Sequence, residues 1–203
     1  MIAGVIQTTR LFKCVIGAVL LAVGSGSATY GVSALLFLTF SFAFNDWVDA
    51  PKDSVGHPDR AIPSGKITRG QAGYLWLGLL VSGLVCLELF LSEYLVSFAV
   101  MYLLSISYSF FLKPNVPLLA TPVWSLAVAI LFVQPFTLEP LAFIAFASCM
   151  YGYELLLDYR DKDADRQFCK TPTLANLLGT RTSVVAGLFF VIGGILFAQL
   201  LFT

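Results

Sequence analysis

Asp46, Asp49 and Asp53 lie in the stretch NDWVDAPKD, and Asp158, Asp161 and Asp165 lie in DYRDKDADRQ. Both triplets have the spacing i, i+3, i+7. At about 3.6 residues per turn, such positions share one face of a helix. Like charges at i, i+4 destabilise a helix by about 0.2–0.5 kcal/mol per pair, and by more where water is scarce. Two such faces in one chain therefore ask for a cation. Carboxylate oxygens are hard ligands. Mg2+ takes oxygen donors, keeps several waters, and commonly uses one or two carboxylates together with substrate phosphates. Mn2+ is the alternative. Lys52, Arg60, Lys113, Arg160, Lys162 and Arg166 flank the acids and can carry the remaining phosphate charge.

A metal-bridged diphosphate at a membrane surface implies a lipid whose tail lies among apolar helices. Metal and basic groups would stabilise the departing diphosphate electrostatically. If the carbon is allylic, departure leaves a carbocation, which aromatic faces stabilise. The chain carries 18 Phe and 8 Tyr, although aromatics in spans serve packing more often than chemistry.

The elements that must hold these acids are membrane helices. Hydrophobic residues make up 58% of the 203 and charged residues only 12%, about half the charged fraction of a soluble domain. Seven apolar runs read as spans, at about 11–29, 30–45, 71–91, 94–112, 116–136, 138–157 and 182–202. Acid-rich loops follow at about 46–70 and 158–181. The fold expected is all-α: one polytopic helical bundle over residues 1–203. All 12 basic residues fall on one side of this arrangement: Arg10 and Lys13, then Lys52 to Arg69, Lys113, and Arg160 to Arg181. The positive-inside rule then places the N-terminus and both acidic loops in the cytoplasm.

Cys14, Cys86, Cys149 and Cys169 form no CxxC pair, and His57 is the only histidine. A zinc site or disulfide framework has little support, and no nucleic-acid partner is expected.

NDWVDAPKD followed by HPDRAIPSG resembles the first motif of the UbiA superfamily of intramembrane prenyltransferases, and DYRDKDADRQ is similar to the second. YSFFLK (108–113) resembles the segment between the motifs, and TLANLLGTR (173–181) the one after the second. The resemblance implies a helical bundle around a central cavity, and magnesium-dependent transfer of a prenyl group from an isoprenoid diphosphate to a lipophilic, aromatic or glyceryl-type acceptor. By position, Asn45, Asp46, Asp49 and Asp53 would bind one magnesium–diphosphate, and Asp158, Asp161 and Asp165 the other. Asp49 and Asp161 are the acids on which turnover should depend most. Arg60, Lys113 and Arg160 would contact diphosphate, and Tyr108 would lie near the prenyl C1. Glu154, one turn before Asp158, would orient Arg160 or touch the acceptor, since an acid at that depth is a functional candidate by default. His57 reads as a loop residue. NDW with IPSG looks most like the branches acting on chlorophyllides or archaeal glyceryl lipids, a likeness too widely shared to name the acceptor.

The sequence departs from the family pattern in three places. Nine spans are usual and seven are counted, so a partner helix or an oligomer is one expected way of completing the bundle. A glycine usual after the second motif is replaced near Cys169. Leu11 stands where proline usually follows Arg10. Two rivals share the motifs: a terpene cyclase that quenches the cation within its own chain, and a non-catalytic membrane protein that binds lipid diphosphates. Transport would place acids along the spans, whereas only Glu88 and Glu154 lie there.

Overall fold

The computed structural model describes residues 1–133, 140–169 and 172–202, with backbone alone at 133, 140, 142, 161, 162, 164, 180 and 197–202. Among the described residues there is no strand. The helices are α1 Ile2–Thr8, α2 Leu11–Ser25, α3 Ala28–Gly56, α4 Arg69–Phe90, α5 Leu95–Ser107, α6 Lys113–Asn115, α7 Pro117–Val133, α8 Pro140–Phe168 and α9 Leu174–Phe202. A single 3₁₀ turn, Ser92–Tyr94, precedes α5, and a π-helical turn, Tyr108–Leu112, joins α5 to α6. Each expected span overlaps a helix among the described residues. By length and apolarity alone, α3, α4 and the segment Ser92–Asn115 qualify to cross a bilayer, and α1 with α2 qualifies as a pair bent by 55°. Phe12, Val96 and Phe189 are 79%, 75% and 71% exposed, a distribution suited to a hydrocarbon solvent and not to water.

The chain forms two compact units, Met1–Ile106 and Ser107–Thr203. In the first, α2 ends at Gly26, whose φ of 64° is the left-handed conformation that glycine adopts without steric cost. The Ser27 side chain then caps α3 by accepting from the Tyr30 N–H at 3.2 Å. The junction therefore lies a few residues before the expected boundary at 29/30. The core is aromatic: Tyr30, Phe37 and Phe40 of α3 meet Phe98 and Tyr102 of α5 edge to face, at ring separations of 5.0 to 6.3 Å. The cluster continues along α3 through Phe44 to Trp47 and to Trp76 of α4.

The α3 helix does not stop where the apolar run stops at 45. It passes through Pro51 and ends at Gly56, so the first aspartate triplet stands on a helix and the loop proper is short. Helix α4 then opens with a reciprocal capping box between Thr68 and Gln71. Ahead of α2, α1 packs Val5 against Ala61, Ile67 and Ala72. The Lys66 ammonium donates to the Gln7 side chain at 2.9 Å, and Gln7 donates to the Asp59 carbonyl at 3.1 Å. The N-terminal segment is thereby fastened to the loop that follows the first motif.

In the second unit, α8 and α9 cross closely. A Cβ built on Gly152 would lie 2.5 Å from the Gly187 carbonyl oxygen, so only a bare backbone fits, the small-residue contact that brings membrane helices together. Helix α8 runs past the expected span end at 157 to Phe168 and carries the second triplet, as α3 carries the first. Thr173 caps α9, accepting from the Asn176 N–H at 3.2 Å, and Arg166 donates to the Asn176 side chain at 2.7 Å.

Candidate active site

In the first unit the last turns of α3 bury their acids: Asp46, Asp49 and Asp53 are 5%, 8% and 1% exposed. Buried carboxylates need countercharge or hydrogen bonds, and neighbouring segments provide both. Arg60, from the loop after α3, donates through Nη1 to Asp53 Oδ2 at 2.7 Å and stands 3.8 Å from Asp46 Oδ1. Arg10 donates through Nη2 to the same Asp46 oxygen at 3.4 Å, with its guanidinium 4.5 Å over the Phe42 ring. Arg10 itself sits at the break between α1 and α2 with a φ of 48°, a left-handed conformation uncommon for a non-glycine residue. Asn45 donates to Asp49 Oδ2 at 3.1 Å. Arg60 thus spans Asp46 and Asp53, and Asn45 holds Asp49. Lys52 is buried, and His57 closes α3 with its backbone N–H on the Asp53 carbonyl at 2.8 Å.

In the second unit the acids of α8 meet donors from α7. Thr121 Oγ1 donates to Asp158 Oδ2 at 2.7 Å, and Trp124 Nε1 donates to Glu154 Oε1 at 3.1 Å. The Trp124 ring stacks on Tyr108, with centroids 5.4 Å apart and planes at 29°. The Lys113 ammonium lies 5.7 Å from the centre of the Tyr108 ring. At the end of α8, Cys169 Sγ donates to the Lys113 carbonyl at 3.4 Å, which ties the end of the second motif to the intermotif segment. Asp165 is buried at 2% exposure and Arg160 is exposed. The side chains of Asp161 and Lys162 lie outside the described residues.

The donor chemistry fits a hard divalent cation, since the acids offer only oxygen. Among the described residues, no three His, Cys, Asp or Glu side chains converge on a ready-made metal cage. Mg2+ commonly takes one or two carboxylates from a protein and completes its octahedron with waters and substrate phosphate.

Arg10 in the first unit, and Thr121, Trp124 and Cys169 in the second, contact the candidate residues without having been assigned a role from sequence. For Arg10 the signal is its place, with Lys13, at the opening of an apolar run. Thr121 and Trp124 carry no such signal, because a Thr and a Trp in an apolar run look like packing residues until the facing helix is known.

These helices and acids define a polytopic helical membrane protein that carries an aspartate-bearing helix end in each of its two units. The model of the UbiA prenyltransferase family matches residues 11–203, and the chain belongs to that family. No curated protein sequence matches it. Two solved structures share its fold. One, of a digeranylgeranylglyceryl phosphate synthase, is 17% identical, with a TM-score of 0.72 over 99% of this chain and 77% of its own. The other, a UbiA homologue from Archaeoglobus fulgidus bound to GPP and Mg2+, is 14% identical, with a TM-score of 0.73 over 98% of this chain and 77% of its own.

Proposed function

We propose that the protein transfers a prenyl group from an isoprenoid diphosphate to a lipophilic acceptor of aromatic or glyceryl type, in a reaction that requires Mg2+. The observation that carries this reading is the buried face of α3, where Asp46, Asp49 and Asp53 are gathered with Arg10 and Arg60. Three acids kept out of water beside two guanidiniums suit a metal–diphosphate better than a solvated surface. Family membership and the Mg2+- and GPP-bound relative support the same chemistry.

In this reading the two units work as one domain, with Asp46, Asp49 and Asp53 serving one magnesium–diphosphate contact and Asp158, Asp161 and Asp165 the other. When bound, Mg2+ neutralises charge on the diphosphate oxygens. Arg60, Lys113 and Arg160 hold the remaining phosphate charge. The C1–O bond of the allylic diphosphate breaks and its electron pair leaves with the diphosphate. The face of Tyr108 stabilises the cation left at C1. A nucleophilic oxygen or carbon of the acceptor gives its electron pair to C1 and then loses its proton. The prenyl tail lies among the spans, and the N-terminus and both motif-bearing helix ends face the cytoplasm, following the distribution of basic residues.

The test is product analysis in lipid nanodiscs, with farnesyl, geranylgeranyl and longer prenyl diphosphates, with and without a pool of aromatic and glyceryl acceptors. Diphosphate release that requires an acceptor and yields a prenylated product is expected. Release without an acceptor, giving a cyclic hydrocarbon or alcohol, would replace this reading with a cyclase. No release from folded protein that binds the diphosphate would replace it with a non-catalytic binder.

A further inference from the structure

We infer that α7 is the positioning element for the acids of α8. Thr121 sets the orientation of Asp158, and Trp124 sets Glu154 and Tyr108 together. The inference rests on the prenyl-transfer reading above.

Two cross-helix hydrogen bonds form parallel rungs. Thr121 and Trp124 lie one turn apart on α7, and their acceptors Asp158 and Glu154 lie one turn apart on α8, at 2.7 and 3.1 Å. Both donors are buried, at 7% and 8% exposure. The Thr121 bond is selective. Hydroxyls in apolar helices commonly bond to the carbonyl four residues earlier in their own helix, as Thr39 does to Leu35, Ser125 to Thr121 and Ser148 to Ile144. Thr121 instead crosses to a carboxylate. A hydrogen bond to an ionised acceptor is stronger than a neutral one and fixes the carboxylate rotamer. The indole N–H only donates, so toward Glu154 the contribution of Trp124 is orientation.

The same Trp124 ring stacks on Tyr108 at 5.4 Å. Tyr108 opens the π-helical turn, a geometry that shifts side chains around the helix and recurs at functional sites. One residue of α7 therefore fixes both the ring proposed to face the prenyl cation and the acid one turn from Asp158. Outer partners of metal-binding carboxylates are worth about 10–100-fold in metal affinity or activity.

The experiment is an Mn2+ titration by electron paramagnetic resonance, with inorganic pyrophosphate, on the full chain in nanodiscs, alongside steady-state turnover. Thr121→Val keeps the shape and removes the hydroxyl; it should weaken Mn2+ binding by about 10–100-fold, and Thr121→Ser should restore it. Trp124→Phe keeps a ring on Tyr108 and removes the N–H; it should lower kcat with Mn2+ affinity unchanged. Wild-type affinity in Thr121→Val, equal weakening in the Val and Ser variants, or an unchanged kcat in Trp124→Phe would overturn the inference. Wild-type protein that binds Mn2+ with pyrophosphate but transfers no prenyl group would refute the proposed function and leave the titration decisive for Thr121. A wild type that binds no Mn2+ would overturn both.

Discussion

Arg60 donates to Asp53 at 2.7 Å across the end of α3, so the loop that follows the first motif reaches back to hold the last acid of that motif. Asp53 is 1% exposed and the Arg60 side chain 17%, so the pair is shielded from bulk water. Its members come from different segments, and loop and helix must therefore be placed together.

This pair gives the first prediction. Arg60→Ala leaves a buried carboxylate without its guanidinium and should lower stability by on the order of 3 kcal/mol, read as a lower unfolding temperature in detergent. Arg60→Lys keeps the charge but loses the planar fork that can address two carboxylates. It should recover most of the stability and only part of the turnover. Full activity in the lysine variant would show that a point charge suffices.

Asp49 and Asp161 give the second. Replacing either with Ala should reduce Mg2+-dependent turnover by on the order of 100-fold or more, the scale seen when one electrostatic group is removed from a reacting centre. Far-UV circular dichroism and membrane insertion should stay unchanged. Wild-type rates in either variant would contradict the two-motif assignment.

Packing rather than chemistry gives the third. At Gly152 an added Cβ would meet the Gly187 carbonyl at 2.5 Å, Phe190 Cβ at 2.8 Å and the Val191 N at 2.9 Å. Two of these are backbone atoms that cannot move aside cheaply. Gly152→Val should destabilise the protein by about 1–3 kcal/mol, the usual penalty for overpacking. A change at the open Gly193, where an added Cβ meets nothing within 4 Å, should leave the unfolding temperature near wild type.

Orientation in the membrane gives the fourth. In a cysteine-free background, His57→Cys should react with a membrane-impermeant maleimide from the cytoplasmic face, and Glu93→Cys from the other. The reversed pattern would invert the topology drawn from the basic residues.

The acids themselves were legible because their spacing is a property of the chain: i, i+3, i+7 marks one helix face whatever surrounds it. Their setting was less so. Asp- and Lys-rich sequence after an apolar run reads as a solvated loop, yet α3 and α8 continue to Gly56 and Phe168. In the first case the charges that would fray the helix are countered by Arg10 and Arg60, which are distant in sequence from part of the motif. Proline inside a helix removes one backbone hydrogen bond, but α3 carries Pro51 at an exposed position. The short helix α1 was missed because seven residues are too few for a periodic signal, and tertiary contact with the 61–72 segment stabilises it. Thr121 and Trp124 become functional candidates only through their partners on α8, a pairing that spacing along one helix does not encode.

The most direct test of the central claim is diphosphate release by the purified protein in nanodiscs with a prenyl diphosphate and acceptor. It should be followed through removal of divalent cations by chelation and re-addition of Mg2+, with Asp49→Ala as control. The account predicts that release falls to the level of the Asp49→Ala protein on chelation and returns on adding Mg2+, while the control stays inactive throughout. Release that persists without divalent cations, or that the control shares, would contradict it.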